Sequence, residues 1–132
     1  MGKDLYYLGA SAILTLLMLL FASLLRARAW TPAGLGVAFG NRDALPEPTP
    51  LSGRAERAAR NMLEGMLLFV VVLLAAHAAG VLGPRVALGA QIFFWARLVY
   101  WFIYLAGIPY LRTAAWAASI VGLGIILSAL LV

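Results

Sequence analysis

The sequence predicts an all-α integral membrane protein built as an up-down four-helix bundle. Three observations lead there. Hydrophobic residues make up 64% of the 132-residue chain and charged residues only 11%, against about 45–50% and about 25% in water-soluble domains. Four apolar stretches each approach the ~20 residues that a helix needs to cross a ~30 Å hydrocarbon core. No stretch alternates with a period of two, and lipid offers no partner to backbone groups left unpaired, so the stretches are read as helices. The length fits one domain, residues 1–132. The same composition excludes disorder. The absence of cysteine excludes disulfides and thiolate metal sites, and one histidine with five carboxylates gives no metal centre to expect.

The first helix is read over about residues 5–28, where Ile13, Leu14, Leu16, Leu17, Leu19, Leu20 and Phe21 run without a charge. Ala27 and Ala29 form a small-x-small pair behind it, as in a signal-peptide cleavage site. The apolar run exceeds the usual ~7–15 residues of such a peptide, however, and Arg28 lies inside the supposed site, so the helix is read as retained. A loop follows over about residues 30–53, carrying Gly34, Gly36, Gly40 and the extended Pro46-Glu47-Pro48-Thr49-Pro50 segment. Its glycines do not follow a strand and lack the spacing of a phosphate-cradling loop. The second helix is read over about 54–79, the third over about 86–106 and the fourth over about 111–131, with the apolar run reaching Val132. Tight connections at Gly80–Arg85 and Gly107–Tyr110 make consecutive helices antiparallel.

The formal charge of +5 comes from Lys3 and nine arginines set against five acids. The basic residues punctuate apolar runs without forming a solvated stripe, so lipid takes precedence over nucleic acid as their partner. Arg26, Arg28, Arg42, Arg54 and Arg57 flank or occupy the first loop and Arg112 flanks the third connection, while the other side holds Arg85 and a Lys3 partly offset by Asp4. Basic loops stay cytoplasmic, which places both termini, Val132 included, on the non-cytoplasmic side.

Ionisable residues inside spans are rare and face the bundle interior. At about 100° per residue, Arg57, Arg60, Asn61 and Glu64 share about a quadrant to a third of the second helix, and Arg97, Tyr100, Trp101 and Tyr104 share one face of the third. The fourth opens with Arg112 and Thr113, and Trp116 and Ser119 lie on the Arg112 side. Arginines in excess of acids near one boundary suit a small anionic ligand. The same residues also allow a purely structural network, with Glu64 pairing along the helix with Arg60 or across helices with Arg97. His77, deep among alanines, reads as a hydrogen-bonded packing residue. Ala114, Ala118 and Gly122 recur every four residues, a stripe suited to close helix packing within or between subunits.

The segment Arg57-Ala-Ala-Arg60-Asn61-Met-Leu-Glu64 resembles the second-helix signature of the MAPEG proteins, the membrane-associated proteins in eicosanoid and glutathione metabolism. Ala96-Arg97-Leu-Val-Tyr100-Trp-Phe-Ile-Tyr104 and Pro109-Tyr-Leu-Arg112-Thr113 resemble their third helix and fourth-helix entrance. Asn41-Arg42-Asp43 with the following prolines resembles bacterial members in particular, implying a bacterial inner membrane. The resemblance implies a homotrimer that binds glutathione between subunits near the cytoplasmic side and acts on a lipophilic electrophile or hydroperoxide as a transferase or peroxidase. By position it implies that Arg57, Arg60, Asn61 and Glu64 hold the tripeptide, that Arg97, Tyr100, Tyr104 and Thr113 line or brace the site, and that Arg112 is the catalytic residue that stabilises the thiolate, as in leukotriene C synthase. Trp116 stands where the prostaglandin-synthase members carry a tyrosine, which points away from an eicosanoid substrate. A non-catalytic scaffold or accessory subunit retaining the fold is the alternative. A transporter or channel is disfavoured because no span carries a graded run of polar residues.

Overall fold

The structure is a computed structural model that describes residues 2–131, so Val132 lies outside the described residues. Five helices follow one another: α1 (Lys3–Ala27), α2 (Pro32–Phe39), α3 (Pro50–Ala78), α4 (Pro84–Ala106) and α5 (Pro109–Leu131). There is no strand among the described residues. The four long helices are each long and apolar enough to cross a membrane.

Local chemistry sets the boundaries. α2, α3 and α4 each open on a proline in the first turn, where a missing N–H is no loss. Thr49 caps α3 in a reciprocal box: its hydroxyl accepts from the Ser52 amide at 3.0 Å, and the Ser52 hydroxyl accepts from the Thr49 amide at 2.9 Å. This cap starts α3 at Pro50, four residues ahead of the sequence reading. α4 ends at Gly107, whose φ of 78° is one a residue with a Cβ adopts only under strain.

The connection expected to be a loop over residues 30–53 contains α2, which departs from the sequence reading. Eight residues with little amphipathic pattern leave no periodic signal to read, and the helix exists because Thr31 accepts from the Gly34 amide at 2.9 Å and Pro32 presets the first turn. Gly34 is obligatory there, since a Cβ would run into the Arg28 carbonyl.

In cross-section the long helices form a ring in the order α1, α3, α5, α4, with α3 and α4 also touching across it and α1 and α5 apart. The α4–α5 contact is the most extensive. Its cause is a crossing of two glycines: a Cβ on Gly122 would lie 2.7 Å from the Gly89 oxygen and 2.9 Å from the Phe93 nitrogen. Gly122 therefore serves packing within the chain, while Ala114 and Ala118, its companions in the small-residue stripe, are exposed.

Met18, Met62, Phe69, Leu73, Phe93 and Ile126 form the wholly buried centre, with the Phe69 and Phe93 rings 4.4 Å apart. Yet only 22–33% of each span's apolar window is buried in the chain, so most of that surface must meet lipid or other chains to escape the hydrophobic penalty of about 25 cal/mol per Å². The chain is an integral membrane protein. At the end away from the arginines, the His77 ring Nε2 lies 2.5 Å from Asp4 Oδ2, joining the end of α3 to the start of α1. His77 is thus tied to an acid 73 residues away, and that acid faces His77 where the sequence reading had it offset Lys3.

Candidate functional site

The polar faces of α3 and α4 meet at Arg97. Only 1% of this residue is exposed. Its Nη1 donates to Asn61 Oδ1 at 2.6 Å, and its guanidinium lies against the rings of Phe93 (5.5 Å) and Tyr100 (5.1 Å). A buried cation is tolerated only when paired or otherwise compensated; here an amide oxygen and two aromatic faces do part of that work, and the buried Nε has no partner. Room for the guanidinium exists because residue 65 is glycine: a Cβ there would collide with Arg97. Glu64 does not bond to Arg97, although its charge acts on that guanidinium through space. It is exposed and forms neither the pair with Arg60 nor the pair with Arg97 that the sequence allowed; the ion pairs among the described residues are Arg26–Glu56 and Asp4–His77.

Next to Arg97, towards the arginine-rich end, α3, α4 and α5 enclose a cavity of about 240 Å³ lined by Asn61, Tyr100, Tyr104, Arg112, Thr113 and Trp116. Tyr104 organises it. Its hydroxyl accepts from Arg57 Nε at 3.3 Å, its ring carries the Arg112 guanidinium 4.6 Å from the centroid, and its edge meets Tyr100 with centroids 5.4 Å apart. Arg112 and Thr113 reach the cavity because Gly107 turns the chain and α5 begins at Pro109, so Arg112 closes the first turn of a helix and Thr113 follows it. The backbone dipole there adds positive potential to the guanidinium. The lining thus offers a cation, two phenol hydroxyls, a threonine hydroxyl and an amide, with no carboxylate among them. Such a set accepts an anionic ligand that also carries amide groups.

Of the nine residues expected at the site, five line this cavity: Asn61, Tyr100, Tyr104, Arg112 and Thr113. Two stand behind it, Arg97 holding Asn61 and Arg57 holding Tyr104. Arg60 and Glu64 are elsewhere. Arg60 lines a separate cavity of about 350 Å³ between α1 and α3, with Arg26, Arg42 and Glu56, and Glu64 is exposed. The physical reason is the helix turn itself: neighbours such as Arg60 and Asn61 diverge by about 100°, enough to send one towards α1 and the other towards α4.

Trp116, Gly65 and Arg26 were not read as site residues. Trp116 was findable, since it stands one helical turn beyond Arg112. Gly65 and Arg26 carry no local signal, because their contacts are with residues 32 and 30 positions away in the chain.

No curated protein matches the chain. The model of the MAPEG family matches residues 5–132. Proteins of that family generally use glutathione, and membership supports glutathione-related transferase, peroxidase or related activity in a membrane at the level of the family. With four apolar spans, polar α3 and α4 faces meeting at one cavity, and a match over nearly its whole length, the chain belongs to the MAPEG family.

Proposed function

We propose that this chain is a glutathione-dependent membrane transferase or peroxidase acting on lipophilic electrophiles or hydroperoxides. The observation that carries the reading is the carboxylate-free cavity in which the Arg112 guanidinium rests on the Tyr104 ring. The residues present suit glutathione: Asn61 keeps its amide donors after Arg97 occupies its oxygen, and Tyr100, Tyr104 and Thr113 offer hydroxyls. Bound glutathione would supply a thiol sulfur, whose thiolate form is the nucleophile. The Arg112 guanidinium would place its positive charge towards that sulfur and favour loss of the thiol proton. Tyr104 holds Arg112 in place, and Arg57 holds Tyr104. A lipophilic substrate would reach the site from the bilayer that the exposed apolar faces of the spans meet.

A homotrimer fits the same geometry. A cavity of about 240 Å³ is below the ~300–1,000 Å³ usual for a drug-sized ligand, and Arg60 and Glu64 are exposed on the single chain. A neighbouring copy would enlarge the site and use those residues. We also propose that the domain spans residues 1–132 and sits in a bacterial inner membrane, its arginine-rich end cytoplasmic and its termini on the other side. Reporter fusions after Gly40 and after Val132 test the orientation and should give opposite compartment signals. Native mass measurement after gentle extraction should give three copies, and a strictly monomeric particle contradicts the assembly.

The decisive experiment is spectroscopic. Native protein with glutathione should develop thiolate absorbance in the ultraviolet at neutral pH, where the free tripeptide is mostly protonated. Arg112→Leu should lose that absorbance and retain most of the affinity. The scaffold alternative draws on the Arg97–Asn61 contact, which is satisfied within the chain. It predicts no glutathione binding at all, and calorimetry separates the two readings.

A further inference from the structure

The arginine-rich end carries a feature that neither the cavity nor the bundle uses. α2 has no charged residue, packs on α1 alone among the helices, and buries only Gly34. Its outer side and the preceding turn are apolar and open: Trp30 is 68% exposed, Leu35 46% and Phe39 88%. An aromatic and leucine face of this kind is unfavourable in water.

Two observations fix what covers it. The first is depth. α1 has 25 residues, a rise of about 37 Å, which exceeds the ~30 Å hydrocarbon core, so its last turn emerges among the headgroups. The chain beyond α2 returns alongside that turn: Arg42 donates to the Ser23 carbonyl at 3.3 Å and Arg26 to the Pro46 carbonyl. α2 is therefore held at the level where α1 leaves the hydrocarbon, and Leu20 and Leu24 near that end of α1 are exposed as well. The second is charge. Seven of the nine arginines, all except Arg85 and Arg97, lie at this end, and Tyr110 at the start of α5 is 89% exposed there. Arginine with interfacial tryptophan and tyrosine is the pattern of a protein edge seated in a headgroup layer.

We propose that Trp30 and α2 form an in-plane foot docked in the headgroup layer of this leaflet, with anionic phospholipid as its partner. Trp30, Leu35 and Phe39 insert at the acyl boundary, and Arg28 and Arg42 take the phosphate charges. The connection between α1 and α3 is then a membrane-bound element over its first half and a solvated one around Asp43. The foot does not depend on whether the cavity binds glutathione.

The chain has no cysteine, so single labels report cleanly. Spin labels at Leu35→Cys and Phe39→Cys are compared, in vesicles, with Leu17→Cys on the exposed middle of α1 and Asp43→Cys on the exposed loop. The foot labels should collide with dissolved oxygen more than the Asp43→Cys label does and with an aqueous nickel chelate less, giving a depth between the two references. Replacing part of a zwitterionic lipid by anionic phospholipid should move them deeper, and added salt should reverse that gain. Nickel access equal to that at Asp43→Cys overturns the proposal. So does loss of access to both reagents, the signature of a face covered by another protein chain, and so does a depth indifferent to anionic lipid.

Discussion

The two ends of the bundle handle charge by different means. At the arginine-rich end, guanidinium groups are directed at neutral oxygens: Arg54 Nε donates to the Leu105 carbonyl at 3.1 Å, Arg42 to the Ser23 carbonyl, Arg57 to the Tyr104 hydroxyl, and only Arg26 meets an acid, Glu56, at 3.5 Å. At the opposite end the one buried acid, Asp4, faces His77 at 2.5 Å, and Arg85 donates to the Ser128 carbonyl. Asp4 stands in the first turn of α1 and His77 in the last turn of α3, so their contact ties two helix ends together. Carbonyls at helix C-termini satisfy arginine without cancelling its charge. One end carries seven arginines against Asp43, Glu47, Glu56 and Glu64, while the other carries only Lys3 and Arg85 against Asp4. The proposed glutathione site lies at the more cationic end.

The comparison breaks most visibly at Arg112. Arg112→Leu should lower conjugation by about 10²–10³-fold, the scale for losing one preorganised electrostatic contact, while thermal unfolding in detergent shifts by no more than about 0.5 kcal/mol. A large fall in stability would make this arginine structural and erase the distinction between the ends.

Next in size is a substitution between the ends. Gly122→Val forces side-chain atoms against the Gly89 and Phe93 backbone and should destabilise the protein by about 3 kcal/mol. Because the α4–α5 crossing ties the ends together, both should melt in one transition. Retention of the Asp4–His77 end after loss of the cavity would mean the two ends fold separately.

At the opposite end, Asp4→Asn or His77→Leu should cost about 1–3 kcal/mol of stability, as when one partner of a buried hydrogen bond is removed. Glutathione affinity, measured calorimetrically, should not change. A weakened affinity would show that this end is coupled to the site.

The smallest effect is expected from Arg57, exposed at the helix surface yet bonded to Tyr104. Arg57→Leu and Tyr104→Phe should each weaken glutathione binding by about 0.5–1.5 kcal/mol. In a double-mutant cycle the effects should be less than additive, because both remove the same contact. Full additivity would mean that Arg57 acts without Tyr104.

What the sequence determined by itself is whatever depends on sums over neighbouring residues. Four runs of apolar residues define four spans. The 57–64 and 97–104 segments define polar helix faces, and the distribution of nine arginines marks one end as cationic. The spans and the cationic end survive in the structure because hydropathy and charge are summed over sequence neighbours, whatever the helices later touch. α2 stayed hidden because eight uncharged residues lack a periodic face.

Tertiary structure alone decided how each helix is rotated and which neighbour it meets. That rotation sends Arg60 towards α1 while its neighbour Asn61 meets Arg97, leaves Glu64 outside, and gathers Tyr104 between Arg57 and Arg112. It also pairs Asp4 with His77 across 73 positions, and Gly89 with Gly122. Such contacts are chosen by steric fit between whole helix surfaces, where one missing Cβ, as at Gly65 or Gly122, sets the approach of two backbones or the seat of a guanidinium. A local pattern cannot encode that fit, because the atom that would clash belongs to another helix.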